Sequence, residues 1–162
     1  MEKTVYSIRP ANKADLAAIN RLIESAVMSW KLPERVIRLS LSSYRYDELD
    51  FEHLDMIVAQ DQHQKIIAVA ASEEADSKET PGAKKALLLH GLYVDPTYQH
   101  RGIGRQLFES LQVTAQALHY DGILVKAQQD AAGFFKAQDM EKCQVDNPAR
   151  DYANRFWKSF SK

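Results

Sequence analysis

Cysteine is almost missing. Cys143 is the one thiol in the chain, so no intramolecular disulfide can close, and no Cys-x-x-Cys pair or Cys/His cluster suggests zinc. An excess of one charge is missing too. The chain carries 21 basic and 22 acidic side chains, a formal net charge of -1, which excludes the strongly basic footprint of a nucleic-acid binder. No apolar run approaches the about 20 residues that span a bilayer, and Met1-Glu2-Lys3-Thr4 lacks the apolar core of a secretion signal. These absences predict a cytoplasmic protein with no nucleic-acid or membrane partner. Repeats, low-complexity stretches and linkers are also lacking. The 162 residues, 45% of them apolar, suit a single domain over 1–162 with a core that needs no staples.

The patterning that is present alternates between strand and helix periods. Thr4 to Arg9 reads as a short strand ended by Pro10, with Tyr6 and Ile8 on one face. Asn12 is placed to cap a helix to about Ser29, whose Leu16, Ile19, Ile23, Val27 and Trp30 share one face. Pro33 suits the first turn of a second helix through about Leu41. Tyr44 to Asp55 is irregular and acidic. Met56 to Gln60 and Ile66 to Ala71 flank a polar turn, as in a hairpin. Ser72 to Lys85 is a polar loop. Ala86 to Val94 is nearly all apolar, which predicts a central strand buried on both faces. A third helix is predicted from about Gly102 to Leu118, with Ile103, Leu107, Leu111, Ala115 and Leu118 on its stripe. Gly122 to Ala127 is a strand and Ala131 to Gln138 a short helix. Met140 to Val145 and Tyr152 to Phe160 are a last pair of strands. This order predicts an α/β fold, a mixed sheet with helices on its faces.

The most informative segment joins a strand to a helix: Leu92-Tyr93-Val94-Asp95-Pro96-Thr97-Tyr98-Gln99-His100-Arg101-Gly102-Ile103-Gly104-Arg105. Gly102 and Gly104 lack Cβ atoms where the helix begins, so a ligand can approach the backbone there. A helix N-terminus offers N–H groups and positive dipole charge, which suit a phosphate, and Arg101 and Arg105 add charge. A Walker A loop is absent. The dinucleotide fingerprint would need a small residue where Leu107 stands. The glycines taken by themselves are equally compatible with a plain turn.

Their neighbours add more. Gln99-His100-Arg101-Gly102-Ile103-Gly104 resembles the Gln/Arg-x-x-Gly-x-Gly/Ala signature of the GNAT superfamily of acyl-CoA N-acyltransferases. Leu92-x-Val94-Asp95-Pro96 before it, the element order, and Tyr152 to Trp157 as a last strand resemble the same family. The resemblance implies a GNAT fold: a mixed, mostly antiparallel sheet with two splayed parallel central strands and helices on both faces. It implies acetyl-CoA as acyl donor and an amine as acceptor, joined in a ternary complex. The pyrophosphate would lie on the N–H groups of the turn from about His100 to Arg105, through Arg101, Gly102, Ile103 and Gly104, with Gln99 before it among the cofactor-binding residues. The pantetheine arm would pair with the backbone at Leu92, Tyr93 and Val94. Gln128, near the family's usual asparagine, and Phe134 and Phe135 would flank the thiol end. The acceptor's identity and the oligomeric state stay open, a homodimer included.

Amine acylation needs a neutral amine, so a base or a water chain must take a proton. His90, four residues before Val94, is the catalytic candidate, because imidazole titrates in the useful range. Some arylalkylamine acetyltransferases of the family carry a histidine at the matching position; a histidine merely hydrogen-bonded within its strand is the equal alternative. Glu73 and Glu74 are further candidates, more simply read as a solvated pair. The family's acid tyrosine is replaced by Phe135, which has no hydroxyl. Tyr93 or Tyr98 could stand in, and a thiol of pKa about 8.5 is a tolerable leaving group without help. The missing hydroxyl also keeps open a non-catalytic acyl-CoA-binding module. Cys143 reads as a small buried hydrophobe. Trp30, Leu32, Tyr44 and Tyr46 could line an acceptor pocket, or simply pack; the acidic run Asp47 to Asp55 is more simply a solvated face.

Overall fold

A computed structural model describes residues 5–30, 32–126, 138, 140–142 and 155–160. The helical elements are α1 (Leu16–Met28), α2 (Glu34–Tyr44), α3 (Asp50–His53) and α4 (Ile103–Ala117). The strands are β1 (Tyr6–Pro10), β2 (Asp55–Asp61), β3 (Ile66–Glu74), β4 (Ala86–Val94), β5 (Gly122–Lys126), β6 (Glu141–Lys142) and β7 (Arg155–Ser159). The short helix expected over Ala131–Gln138 lies outside the described residues except for Gln138, and so does Cys143.

The chain forms two compact units, Met1–Ala71 with Gly91–Phe108, and Ser72–His90 with Glu109–Lys162. The first holds the strand order β1-β2-β3-β4, the second β3-β4-β5-β7-β6, since β3 and β4 run through both. β1 pairs antiparallel with β2, and β7 lies antiparallel between β5 and β6. β4 and β5 are parallel, in register from Ala86↔Gly122 to Leu89↔Val125. The expected mixed, mostly antiparallel α/β sheet with a parallel pair is therefore present.

In the first unit the helical stripe behaves as its spacing predicts. Ile19, Ile23 and Val27 are buried with Ile37, Leu41, Met56, Val58 and Val69, and Leu16 and Trp30 pack at the margin. α1 opens through a single-turn helix, Lys13–Asp15, capped by Asn12, whose side chain accepts from the Ala14 N–H at 3.0 Å. Asp15 returns the bond by accepting from the Asn12 N–H at 2.9 Å, which completes a capping box. The same carboxylate accepts from both terminal guanidinium nitrogens of Arg9, at 2.9 and 3.0 Å. The hydrogen bond from Arg9, foremost, holds Asp15 below the ordinary carboxylate range, against the opposing effect of burial. A depressed pKa means the stabilisation is present above the unfolded value, about 3.9, and is lost as pH falls through the lower folded value. Asp15→Ala is expected to cost about 1–2 kcal/mol at pH 7, measured by urea unfolding. The gap to wild type should shrink at pH 3 and not at pH 9.

Several boundaries differ from the pattern. α2 runs on to Tyr44. The acidic stretch contains the single-turn α3, because Asp47 and Asp50 cap each other: the Asp50 N–H donates to Asp47 Oδ1 and the Asp47 N–H to Asp50 Oδ2. Leu118 lies past the end of α4 and is exposed, so the helix stripe ends at Ala115. The largest difference is in β4. Ala86 to Leu89 are buried as expected, but His90 is exposed and Gly91 to Val94 are only half-buried. Among the described residues, pairing to β5 stops at Leu89. For the last five residues of β4 no partner on that side is among the described residues.

Candidate functional site

The sequence places the candidate donor site on the segment after β4, and the structure gives that segment a definite geometry. Asp95 opens a single-turn helix, Pro96–Tyr98, and its carboxylate accepts from the Thr97 N–H and hydroxyl at 2.9 and 2.8 Å. Burial pushes the Asp95 carboxyl up, but the Thr97 bonds and nearby Lys65 outweigh it, so the group stays below the usual range. Gln99 follows in extended conformation and its side chain donates to the Val94 carbonyl at 3.4 Å. His100 and Gly102 then take left-handed φ values of 64° and 82°, with Arg101 between them. Alternation of hand along a short run turns successive N–H groups toward one side, an anion-binding concavity. α4 begins at Ile103, and its bonding starts with the Gln106 N–H donating to the Gly102 carbonyl at 3.0 Å. The first-turn N–H groups of a helix have no carbonyl one turn back, and the left-handed residues directly precede that first turn in the chain.

The two glycines differ in what they do there. Gly102 is demanded by φ of 82°, which side chains with a Cβ rarely adopt. A Cβ built on it would meet nothing within 4 Å. The space over this residue is therefore open to a ligand. Gly104 is half-buried within the first turn of α4. Arg101 and Arg105 are exposed, and the Arg101 guanidinium lies over the Tyr98 ring at 5.3 Å. Ile103 and Leu107 are buried and anchor the helix start.

Upstream, the half-buried end of β4 carries Leu92, Tyr93 and Val94. Burial, with the Tyr44 phenol nearby, pushes the Tyr93 hydroxyl well up, so it stays neutral near pH 7. Tyr98 has another occupation than acid catalysis: its hydroxyl donates to Asp61 Oδ2 at 3.3 Å. His90 is exposed in the strand just before this stretch. Glu73 is half-buried and Glu74 exposed. Gln128, Phe134 and Phe135 lie outside the described residues.

One residue the pattern did not single out is Gly91. A Cβ there would stand 2.6 Å from the Tyr46 hydroxyl oxygen and 2.8 Å from Tyr93 Cε2. Tyr46 itself is buried, clamped by Asn20, whose side chain accepts from its N–H at 2.9 Å and donates to its carbonyl at 2.8 Å. Trp30 and Tyr44 meet edge to face at 5.2 Å at the margin of the same core. Trp30, Tyr44 and Tyr46 are thus part of that packing, whatever else they do, while Leu32 is exposed. No signal local to Gly91 in the sequence announces the contact.

The turn with left-handed His100 and Gly102, set between the end of β4 and the head of α4, is the candidate site of this α/β protein. The family is shown by sequence: residues 52–139, just over half the chain, match the model of the acetyltransferase (GNAT) domain, and the chain belongs to that family of acetyltransferases. Solved structures agree on the fold. PaiA N-acetyltransferase from Thermoplasma acidophilum, solved with coenzyme A, is similar over 96% of this chain and 99% of its own at a TM-score of 0.75 and 15% identity. A GCN5-related N-acetyltransferase from Rhodopseudomonas palustris is similar over 99% of both chains, with TM-score 0.73 and 21% identity. A GNAT family acetyltransferase from Brucella melitensis, solved with acetyl-CoA, is similar over 97% of this chain and 89% of its own, with TM-score 0.65 and 15% identity. No match was found among curated protein sequences. Among the described residues no helix is long and apolar enough to cross a membrane, and no group of His, Cys, Asp and Glu could hold a metal.

Proposed function

We propose that the chain is a single cytoplasmic N-acetyltransferase domain. It moves the acetyl group of acetyl-CoA to an amine by direct attack within a ternary complex. The observation that carries this reading is the turn His100 to Arg105, with its left-handed Gly102 and open space above it, in a chain of this family. The N–H groups of that turn would take the pyrophosphate, with Arg101 and Arg105 adding charge. The pantetheine arm is an extended chain of amides. In this reading the backbone of β4 at Leu92 to Val94, beyond the last pairing with β5 among the described residues, supplies the matching donors and acceptors.

The thioester end then comes beside the start of this open stretch, where His90 is exposed to solvent. In this reading His90, directly or through water, accepts the ammonium proton of the acceptor. The freed amine attacks the thioester carbonyl, the C–S bond breaks and the thiolate leaves, while the extra proton on the attacking nitrogen passes to the sulfur or to water. Backbone N–H groups of the open strand hold the oxyanion. The neutral Tyr93 hydroxyl is a hydrogen-bond donor available on the same strand end.

The test is an acceptor screen with acetyl-CoA, reading thiol release. Turnover of at least one amine is expected; binding of acetyl-CoA with no turnover of any amine would replace the enzyme by a binding module. With an acceptor in hand, His90→Ala is expected to lower kcat/KM by about 10²-fold at neutral pH with little change in acetyl-CoA affinity. An unaltered pH–rate profile in this variant would move the role to water or to Glu73.

A further inference from the structure

The turn that would hold the pyrophosphate is attached at several points to the hairpin between β2 and β3. The Asp95 N–H donates to the Ile67 carbonyl at 2.9 Å, and the Lys65 ammonium stands 3.6 Å from Asp95 Oδ2. Three residues on, the Tyr98 hydroxyl donates to Asp61 Oδ2 at 3.3 Å. Asp61 is itself fixed, because its Oδ1 accepts from the His63 and Lys65 N–H groups at 2.8 and 2.9 Å. These bonds, that from Lys65 foremost, keep it below the ordinary carboxylate range. On the other side of the chain of contacts, the Tyr98 ring carries the Arg101 guanidinium at 5.3 Å. The fixed carboxylate orients the phenol, and the ring face favours the cation on it.

We propose that Asp61 and Tyr98 are positioning residues that hold Arg101 in place for a phosphate of the acyl donor. A free arginine side chain loses up to about 2 kcal/mol of rotamer entropy when a ligand fixes it. An arginine already laid on a ring loses less, so more of its charge-assisted bond appears as affinity. The proposal goes beyond the donor site given above and rests on it, since it assigns a function to side chains that need not touch the donor.

Binding of coenzyme A and of S-acetylpantetheine, which has no pyrophosphate, separates the roles. Tyr98→Phe keeps the ring and loses the tether; Tyr98→Leu loses both. The dissociation constant for coenzyme A is expected to rise about threefold in Tyr98→Phe and about tenfold in Tyr98→Leu, the scale of one weakened charged interaction. Affinity for S-acetylpantetheine should stay within about twofold on that view, because it has no phosphate for Arg101 to meet. Equal weakening toward both ligands would mean that Tyr98 merely holds the end of β4, and the proposal fails. Unchanged coenzyme A affinity in both variants also overturns it. Tyr98→Phe removes one oxygen only, so it decides the matter if Tyr98→Leu does not fold. Arg101→Ala and Gly102→Val serve as controls. If they weaken coenzyme A binding and the Tyr98 variants do not, the donor site stands and the brace falls. If they too bind as wild type, the donor site itself is wrong.

Discussion

Gly102→Val is expected to abolish measurable coenzyme A binding while leaving a folded protein. Two effects add. Valine is strongly disfavoured at the φ of 82° that Gly102 adopts, so the turn must change shape and its N–H groups lose their common direction. The new side chain also fills space in which nothing now stands within 4 Å, where the pyrophosphate would approach. Loss of one or two charge-assisted bonds at about 1.5–3 kcal/mol each corresponds to roughly 10²-fold or more in affinity. Isothermal titration with coenzyme A, beside a thermal melt of the free protein, checks both halves. Gly104→Val should weaken binding as well, through the second position of the signature. Wild-type affinity in both variants would remove the phosphate from this turn.

Gly122→Ala is expected to be the most damaging single-methyl addition to the fold. Gly122 opens β5, paired with Ala86 on one side and Ser159 on the other. A Cβ at this position would overlap the Lys158 carbonyl oxygen and lie 2.6 and 2.7 Å from Trp157 Cη2 and Cζ2. The obstacles are a ladder backbone and an indole that is itself in a packed group with Ala75, Ala86, Leu88 and Leu124. Neither can swing away as a flexible side chain would. Overpacking of this kind costs about 3 kcal/mol or more, a large share of the 5–15 kcal/mol that stabilises a typical domain. Urea unfolding of the variant should show a midpoint lowered by about that amount over the m-value. A loss under 1 kcal/mol would mean that β7 moves aside easily. Gly122→Ala with Trp157→Phe should recover part of the loss, since the smaller ring leaves the space that the methyl enters.

How much of this could be read beforehand depended on the distance over which each feature is encoded. The helical stripe of α1 was legible because Ile19, Ile23 and Val27 repeat at the helix period, and a repeating face must be buried somewhere. Asn12 was legible as a cap because its bond spans two residues. The spacing of Leu118 continues the stripe, yet α4 stops at Ala117; periodicity does not report where a helix ends. The apolar run of β4 predicts burial throughout, yet His90 is exposed and Gly91 to Val94 are half-buried. Apolar composition marks what could be buried, not what arrives to cover it.

The sequence by itself determined the local geometry of the turn before α4. A glycine pair, a preceding strand and flanking arginines are encoded within a dozen residues, and the left-handed φ of Gly102 follows from the one residue type that tolerates it at no cost. It also determined the family, because the signature is contiguous. What the tertiary structure alone decided is what stands against that turn. Asp61 and Tyr98 are 37 residues apart, and Gly91 lies where a Cβ would meet the Tyr46 hydroxyl from a distant loop. Such contacts depend on how strands register and which loops meet. Those are set by the summed packing of the whole core, and no short stretch of sequence carries them.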